Sequence, residues 1–244
     1  GMRSMWMLLD VGNTRIKWML HNGEAVVARG SSLHGDIDLL EREWAQLPRP
    51  ERMVGCNVAG ETIAHSIELL AREWRIEPLW LRPQLEQGGV RNRYRQPLQL
   101  GADRWAALIA ARHLISGNCV VACAGTALTV DALTADGDFL GGIIAPGFRL
   151  MREALAGGTA DLGLNHGRFA AFPDNTADAI HSGAVQALVG AVSRMADEMR
   201  LAGHETNICI LSGGDAHLLR PHLNMKVLLV DNLVLEGLLR VVRE

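Results

Sequence analysis

Apolar and polar positions in the first half of the chain follow two different periods, and glycine-containing turns separate them. Trp6–Asp10 and Ile16–Leu20 are apolar runs of strand length, joined by a Gly12-Asn13 turn that tolerates a positive φ. Asp38–Leu47 and Glu61–Trp74 instead carry apolar residues at helical spacing. The pattern predicts a strand hairpin followed by alternating helices and strands, with further strands at 24–28, 52–58 and 78–81.

The second half repeats this order after an alanine-rich helix predicted over Ala102–Leu114. Strands are predicted at 119–122, 126–133, 139–145, 207–211 and 227–230, and helices at 150–155, 175–201 and 232–242. Residues 82–100 and 157–173 have no period and are expected to be loops. Ser116-Gly117-Asn118 interrupts the pattern. We therefore expect α/β layers with mixed sheets and two domains, residues 1–116 and 117–244.

Composition narrows the class of protein. The 24 Lys and Arg residues nearly balance 27 Asp and Glu, without a long run of one sign, so the electrostatic footprint of a general nucleic-acid binder is missing. No apolar run reaches the about 20 residues needed to span a bilayer, and no secretory signal is recognisable. The four cysteines form no CxxC pair. We expect a cytoplasmic protein with reduced, mostly buried thiols.

The first glycine turn is the first candidate binding site. Gly12 lets the backbone approach an anion, and the amides of Asn13 and Thr14 and the Thr14 hydroxyl are suited to phosphate oxygens. Asp10 at the strand end is suited to Mg²⁺, directly or through water, and Lys17 adds positive charge. The same residues also make a good structural hairpin turn. The matching turn in the second half favours the phosphate-binding interpretation.

That second turn offers equivalent donors in Gly125, Thr126 and Thr129. Asp131 follows on the same strand face as Thr129, where both a metal ligand and a structural hydrogen-bond acceptor remain open. Gly213-Gly214 at a strand-to-helix junction is a candidate surface for the adenosine part of a nucleotide.

Gly101-Ala102-Asp103-Arg104 begins the alanine-rich helix. Asp103 fits a helix N-cap, and it also fits a general base, because phosphoryl transfer to an alcohol requires a carboxylate that accepts the hydroxyl proton. Arg104 has the forked donors that bind a substrate carboxylate.

Together these motifs resemble the type III pantothenate kinases, also called Bvg accessory factor proteins. The matched segments occur in family order and span almost the whole chain: Asp10–Lys17, Gly101–Arg104, Gly125–Asp131, Gly141–Gly147, Asp174–Gly183 and Ser212–Asp215. The resemblance implies two ribonuclease-H-like domains of the actin-like ATPase and sugar-kinase superfamily, each with a mixed five-stranded sheet flanked by helices, and an ATP cleft between the domains. It also implies ATP- and Mg²⁺-dependent phosphorylation of pantothenate, and a homodimer whose partner chain closes the substrate pocket.

The resemblance also implies roles for residues. Asp103 is the expected proton acceptor. The expected substrate contacts are Tyr94, Gly101, Ala102, Asp103, Arg104 and Thr176. The expected ATP contacts are Asp10, Val11, Gly12, Asn13, Thr14, Arg15, Ile16, Lys17, Gly125, Thr126, Gly213 and Gly214.

One position departs from the family. Most members have Asp two residues before the second Gly-Thr, where it binds a monovalent cation, and this chain has Cys123. A neutral thiol is a poor ligand for an alkali cation, which prefers oxygen. We expect binding of K⁺ or NH₄⁺ to be weaker, displaced or absent.

Two alternatives remain at this point. A kinase of the same fold could act on another small alcohol, such as a sugar, although Arg104 beside Asp103 suits a substrate with a carboxylate. The chain could also be a non-catalytic regulatory protein, although no helix-turn-helix signal or basic face supports direct DNA binding.

Overall fold

The computed structural model describes residues 4–156 and 167–244. The chain divides into two compact units. Unit 1 comprises Gly1–Ala110 and Leu233–Glu244, and unit 2 comprises Ala111–Asn232. The domain limits at 116/117 stay a prediction, and the contacts of the last helix place it in unit 1.

Unit 1 begins with the predicted series of strands and helices. These are β1 (Trp6–Val11), β2 (Arg15–His21), β3 (Val26–Leu33), α1 (Ile37–Ala45), β4 (Arg52–Asn57), α2 (Glu61–Arg72) and β5 (Leu79–Trp80). The sheet order is β3-β2-β1-β4-β5. β1 pairs antiparallel with β2 and parallel with β4, so the sheet is mixed as predicted.

One face of this sheet carries an apolar core beneath α1 and α2. Ile63 and Ile67 of α2 belong to it, as the helical spacing predicted. Trp44 lies edge-on to Trp18 and stacks on Trp74 with ring centroids 5.3 Å apart. Such aromatic pairs add packing energy beyond their buried area.

The segment expected to be a loop over residues 82–100 contains a short hairpin, β6 (Glu86–Gln87) and β7 (Val90–Asn92). Gly88 and Gly89 join the strands with φ of 58° and 81°, which glycine adopts without a Cβ penalty. The flanking strands are too short for an alternating pattern. α3 (Ala102–Leu114) and α7 (Leu233–Arg243) complete the elements around unit 1, and α7 packs against β1 and β4.

Unit 2 repeats the arrangement. Its elements are β8 (Cys119–Ala124), β9 (Ala127–Leu133), β10 (Asp138–Pro146), α4 (Phe148–Ala156), α5 (Thr176–Leu201), β11 (Ile208–Ser212), α6 (Ala216–Leu219) and β12 (Lys226–Leu229). The strand order β12-β11-β8-β9-β10 matches that of unit 1 when the strands are numbered within each unit. The predicted internal repeat is therefore a repeat of topology.

One predicted loop is described only in part. Of the loop expected over residues 157–173, residues 157–166 lie outside the described residues, and residues 167–173 contain no helix or strand. Within the described ranges, no helix combines the length and apolar character needed to cross a bilayer.

Candidate active site

The turn between β1 and β2 is closed by its own backbone. The Gly12 amide donates to the Arg15 carbonyl at 2.9 Å, and His34 Nε2 contacts the Gly12 carbonyl at 2.7 Å. Because a carbonyl only accepts, this contact requires the proton on Nε2 of His34. Asn13 and Thr14 are exposed at the tip. The turn therefore presents polar groups at a strand end while His34 supports its backbone.

Two residues predicted to contact ATP have side chains in the core. Val11 and Ile16 pair across the hairpin and are fully buried in the apolar cluster of unit 1. Only their backbone is suited to approach a ligand. Arg15 is exposed, and its Nη1 donates to Ser31 Oγ at 3.3 Å.

Asp10 lies in a row of three polar side chains at this end of the sheet. It is directly opposite Lys17 on β2 and Cys56 on β4. Directly opposed residues project from the same face, so the three side chains lie on the face away from the tryptophan-containing core. A carboxylate and an ammonium group at a strand end suit metal-bound phosphates.

Cys56 links this row to α3. The thiol is fully buried, and Sγ donates over 3.4 Å to the carbonyl of Ala102, the first residue of α3. Burial raises its pKa well above 9.0, and the charges of Asp10 and Asp103 raise the pKa further. Because Cys56 lies opposite Asp10 in the sheet and its thiol contacts the residue before Asp103, the structure links Asp10 to the start of α3 within unit 1.

Asp103 occupies the first turn of α3. Its Oδ1 accepts a hydrogen bond from the Arg104 amide at 2.9 Å. A Cβ on Gly101 would lie 2.7 Å from the same oxygen, so the glycine leaves the space that the carboxylate occupies. Trp105 is fully buried, and its Nε1 donates to Gln87 Oε1 at 2.8 Å. The start of the helix is thereby anchored to the β6–β7 hairpin.

Arg104 follows with its side chain turned into unit 1. It is only 6% exposed, and its Nη1 donates to the Tyr94 hydroxyl at 3.0 Å. The guanidinium carbon lies 5.8 Å from the centroid of the Tyr94 ring. The structure thus brings together Tyr94, Asp103 and Arg104, three of the residues predicted to bind substrate.

The second glycine turn is assembled in unit 2. The Gly125 amide donates to the Ala127 carbonyl at 3.1 Å. Gly213 has a φ of 105°, and a Cβ there would collide with the backbone of Ala124. The Asp215 amide donates to the Ala124 carbonyl at 3.0 Å. The predicted Gly213-Gly214 segment therefore lies against the turn that contains Gly125.

Gly147 supports the same turn. Its amide donates to the Thr126 carbonyl at 2.9 Å, and a Cβ there would collide with the backbone of Gly125 and Thr126. No side chain fits at this position without moving the turn.

Unit 2 has a row equivalent to that of Asp10. Cys123 is opposite Thr129 on β9 and Ser212 on β11. It stands two residues before the turn glycine, as Asp10 does in unit 1. The repeat therefore places a thiol where unit 1 has a carboxylate.

The predicted metal ligands are single carboxylates. Asp131 is 2% exposed, two strand positions beyond Thr129. In the part of the chain that the structure describes, no group of three or more His, Cys, Asp or Glu side chains is placed to hold a metal ion. A cation at Asp10 or Asp131 would take its other oxygens from water or a ligand.

Thr176 begins α5 and is exposed. Asn175 caps this helix, with Oδ1 accepting from the Asp178 amide at 3.0 Å. Hydrogen bonds from the Arg168 amide and the Asn175 side chain lower the pKa of Asp178. Thr176 is therefore held at a capped N-terminus, where the helix dipole favours negative charge.

Sequence reasoning missed three residues that support these sites. Cys56 and His34 act through partners 46 and 22 residues away, which no local pattern reveals. Asn92 lies between Arg91 and Arg93, and its Asn-x-Tyr spacing to Tyr94 is a usable turn signal.

Comparison with known protein sequences identifies the family of this chain. Residues 6–198 match the family model described as type III pantothenate kinase. A protein of that name from Nitrosospira multiformis is 48% identical over 244 residues, covering 100% of this chain and 93% of the relative. Another from Aromatoleum aromaticum is 50% identical over 241 residues, covering 98% of each.

Solved structures share the fold at low identity. A Baf family protein from Campylobacter jejuni has a TM-score of 0.60 and 21% identity, with 97% of both chains covered. A 2-dehydro-3-deoxygalactonokinase candidate from Sinorhizobium meliloti has a TM-score of 0.62 and 16% identity, with 98% of both chains covered. The predicted actin-like ATPase and sugar-kinase fold is confirmed.

Proposed function

The chain belongs to the type III pantothenate kinase family, and we propose that it transfers a phosphoryl group from ATP to the primary hydroxyl of pantothenate, with Asp103 as general base. The product is 4′-phosphopantothenate, in the first step of coenzyme A synthesis. The observation that supports these roles is the link from Asp10 through Cys56 to the start of α3, where Asp103 lies beside Arg104 and its partner Tyr94.

Asp103 accepts the hydroxyl proton as the new oxygen–phosphorus bond forms. Its fixed position at the start of α3, with one oxygen held by the Arg104 amide, supports that role. Arg104 binds the carboxylate of pantothenate through its forked donors. Its orientation by the Tyr94 hydroxyl supports this pairing, and Thr176 adds a further contact to the substrate.

The two glycine turns hold the nucleotide. In unit 1 this is the segment from Asp10 to Lys17, and in unit 2 it is Gly125 and Thr126 with Gly213 and Gly214. Asp10 fits Mg²⁺, because this ion keeps several waters and needs only one or two carboxylates beside the phosphates. When bound, Mg²⁺ neutralises charge on the phosphates. Asp131 is a second candidate ligand on the same chemical grounds.

Cys123 is the basis for our proposal on the binding of monovalent cations. A half-buried thiol in the row with Thr129 and Ser212 supplies no anionic oxygen. We therefore propose that K⁺ or NH₄⁺ binds weakly or not at all at this position.

We also propose a homodimer. An open apolar groove of ≈ 490 Å³ runs between α4 and α5 of unit 2, with Leu150, Leu155, Ile180 and Gly183 among its lining residues. Leu155 is 63% exposed, and a Cβ on Gly183 would meet nothing within 4 Å. Bare backbone beside exposed leucines lets an identical helix pair approach closely, and burial of this apolar surface favours a second copy as the occupant.

The dimer is tested by light scattering after gel filtration. Leu155→Arg should give a monomer, whereas Leu201→Arg, at a 75% exposed leucine outside the groove, should leave the dimer intact. A monomeric wild-type protein at micromolar concentration would remove the dimer from the proposal.

The enzyme is proposed to be cytoplasmic. In the described residues, which include all four cysteines, no disulfide is formed, and this suits a reducing compartment.

The kinase activity is tested by ADP release from purified protein with MgATP, with and without pantothenate. Pantothenate-dependent release is expected. Asp103→Asn should lower kcat by at least about 100-fold while the Kd for ATP stays unchanged. A variant within about threefold of wild type would remove Asp103 from the role of base. Release only with another alcohol, found with a substrate panel, would support the sugar-kinase alternative.

A further inference from the structure

Asn92 is a buried polar residue at the end of β7, only 5% exposed. Its Nδ2 donates to the Pro97 carbonyl at 3.2 Å, and its Oδ1 accepts from the Tyr94 amide at 3.1 Å. Its own amide donates to the Leu85 carbonyl at 2.9 Å. A single side chain therefore ties both sides of the loop over residues 93–97 to the hairpin.

Burial contributes little to the shape of this loop. Arg93, Arg95 and Gln96 are exposed, so their side chains add little burial that would fix the backbone. Ordering each such residue costs conformational entropy. The two hydrogen bonds of Asn92 are thus well placed to select one loop conformation.

The position of Tyr94 depends on that conformation. Its hydroxyl accepts from Arg104 Nη1 at 3.0 Å, and its ring lies beside the guanidinium group. A shift of the loop would take the Tyr94 hydroxyl away from Arg104 Nη1 and change the orientation of the guanidinium. Bidentate recognition of a carboxylate requires the guanidinium plane to be fixed.

We propose that Asn92 is a positioning residue that fixes Tyr94 against Arg104 and so sets the selectivity of the site for a substrate with a carboxylate. The inference rests on the proposed function for the identity of the substrate. It assigns to Asn92 no contact with substrate.

The kinetic test compares Asn92→Ala with Asn118→Ala. Asn118 is a matched control in unit 2, since its Nδ2 donates to the Glu205 carbonyl at 2.9 Å and its Oδ1 accepts from the Ala135 amide at 2.7 Å. Asn92→Ala should raise KM for pantothenate by about tenfold, with kcat and KM for ATP nearly unchanged. It should also reduce discrimination against pantothenol, in which an alcohol replaces the carboxylate. Asn118→Ala should leave all of these values unchanged.

Tyr94 provides a readout that does not depend on activity, because it is the only tyrosine in the chain. Protein labelled with 3-fluorotyrosine should give one ¹⁹F resonance. In Asn92→Ala this resonance should move towards its position in urea-unfolded protein. In Asn118→Ala it should stay at the wild-type position.

A second variant tests the contact between Tyr94 and Arg104. Tyr94→Phe keeps the ring and removes the hydroxyl that accepts from Arg104 Nη1, so it should reproduce the tenfold rise in KM. The double variant Asn92→Ala/Tyr94→Phe should be no worse than either single variant, because both break one chain of contacts.

The outcomes separate the inference from the proposed function. A wild-type ¹⁹F position and KM in Asn92→Ala would overturn the inference, as would an equal loss for pantothenate and pantothenol. If Asn92→Ala fails to fold, a wild-type KM in Tyr94→Phe would overturn it instead. If wild-type protein does not phosphorylate pantothenate, the proposed function fails, whereas the ¹⁹F comparison still decides whether Asn92 holds Tyr94.

Discussion

The position of the Asp103 carboxylate depends on the absence of one carbon atom. A Cβ on Gly101 would lie 2.7 Å from Asp103 Oδ1, closer than carbon and oxygen atoms pack without bonding. The carboxylate would have to rotate away from the Arg104 amide that now holds it. Gly101 is therefore a steric requirement for the proposed base.

Gly101→Ala should lower kcat by about ten- to 100-fold, because a base displaced by about 1 Å loses its alignment with the hydroxyl. The Kd for ATP and the stability should change little, since the atom that moves is the end of a side chain. Steady-state kinetics and calorimetry measure these effects. Gly117→Ala is the control, with nothing within 4 Å of its Cβ. An unchanged kcat in Gly101→Ala would refute the steric argument.

At the scale of the helices and strands, backbone atoms rather than side chains determine how closely α3 and α7 approach each other. A Cβ on Gly237 of α7 would collide with the Ala106 backbone of α3. Gly237 and Ala106 both lie in unit 1, and α3 is the helix that carries Asp103. Because backbone atoms cannot rotate away, α7 itself would have to move.

Gly237→Ala should therefore destabilise the protein by about 1–3 kcal/mol, although alanine favours helix formation. Gly190→Ala in α5 should instead stabilise it by about 0.5–1 kcal/mol, because its Cβ would meet nothing within 4 Å. Urea unfolding of both variants measures these changes. The same sign for both would contradict the packing argument.

The neighbouring strands β8 and β11 carry two buried thiols. Burial raises the pKa of Cys119 and Cys209 from 9.0 to about 12. Between these values the folded state binds more protons than the unfolded state. Their contribution to stability is thus complete below pH 9 and is lost as the pH rises towards 12.

Cys209→Ala should reduce this pH dependence. Between pH 8 and pH 10, wild-type protein should lose roughly 1 kcal/mol more of its free energy of unfolding than the variant. Urea unfolding at both pH values gives the comparison, and the difference in slope cancels the constant cost of the lost side-chain packing. Parallel slopes would show that the Cys209 thiol ionises equally in both states.

At the scale of the whole molecule, the internal repeat includes the backbone hydrogen bonds beside the two glycine turns. The Val58 amide donates to the Val11 carbonyl at 3.0 Å in unit 1, and the Asp215 amide donates to the Ala124 carbonyl at 3.0 Å in unit 2. Asp10 and Cys123 each stand one residue before these carbonyls. The two units therefore present the same backbone frame with different chemistry.

Wild-type enzyme should show no saturable activation by KCl or NH₄Cl, because Cys123 supplies no anionic oxygen. Cys123→Asp should introduce such activation, whereas Cys123→Ser, which adds oxygen without charge, should not. Titration of the rate with each salt, at constant ionic strength kept with NaCl, measures this. Strong saturable activation of wild-type protein would refute the prediction.

The sequence by itself determined the strand and helix series and the repeat, and it supplied the candidate substrate residues of the first unit. Strand and helix periods, turn glycines and the Gly-x-Asp-Arg motif are local, so the chain displays them directly. The β6–β7 hairpin was missed because its two-residue strands are too short to show a period.

Only the tertiary structure decided which distant residues meet. Cys56 contacts the carbonyl of Ala102, 46 residues away, and thereby brings the strand of Asp10 to the helix of Asp103. It also decided that Val11 and Ile16 turn their side chains into the core. The physical reason is that sheet register and helix packing are set by burial summed over many residues, which no local segment encodes alone.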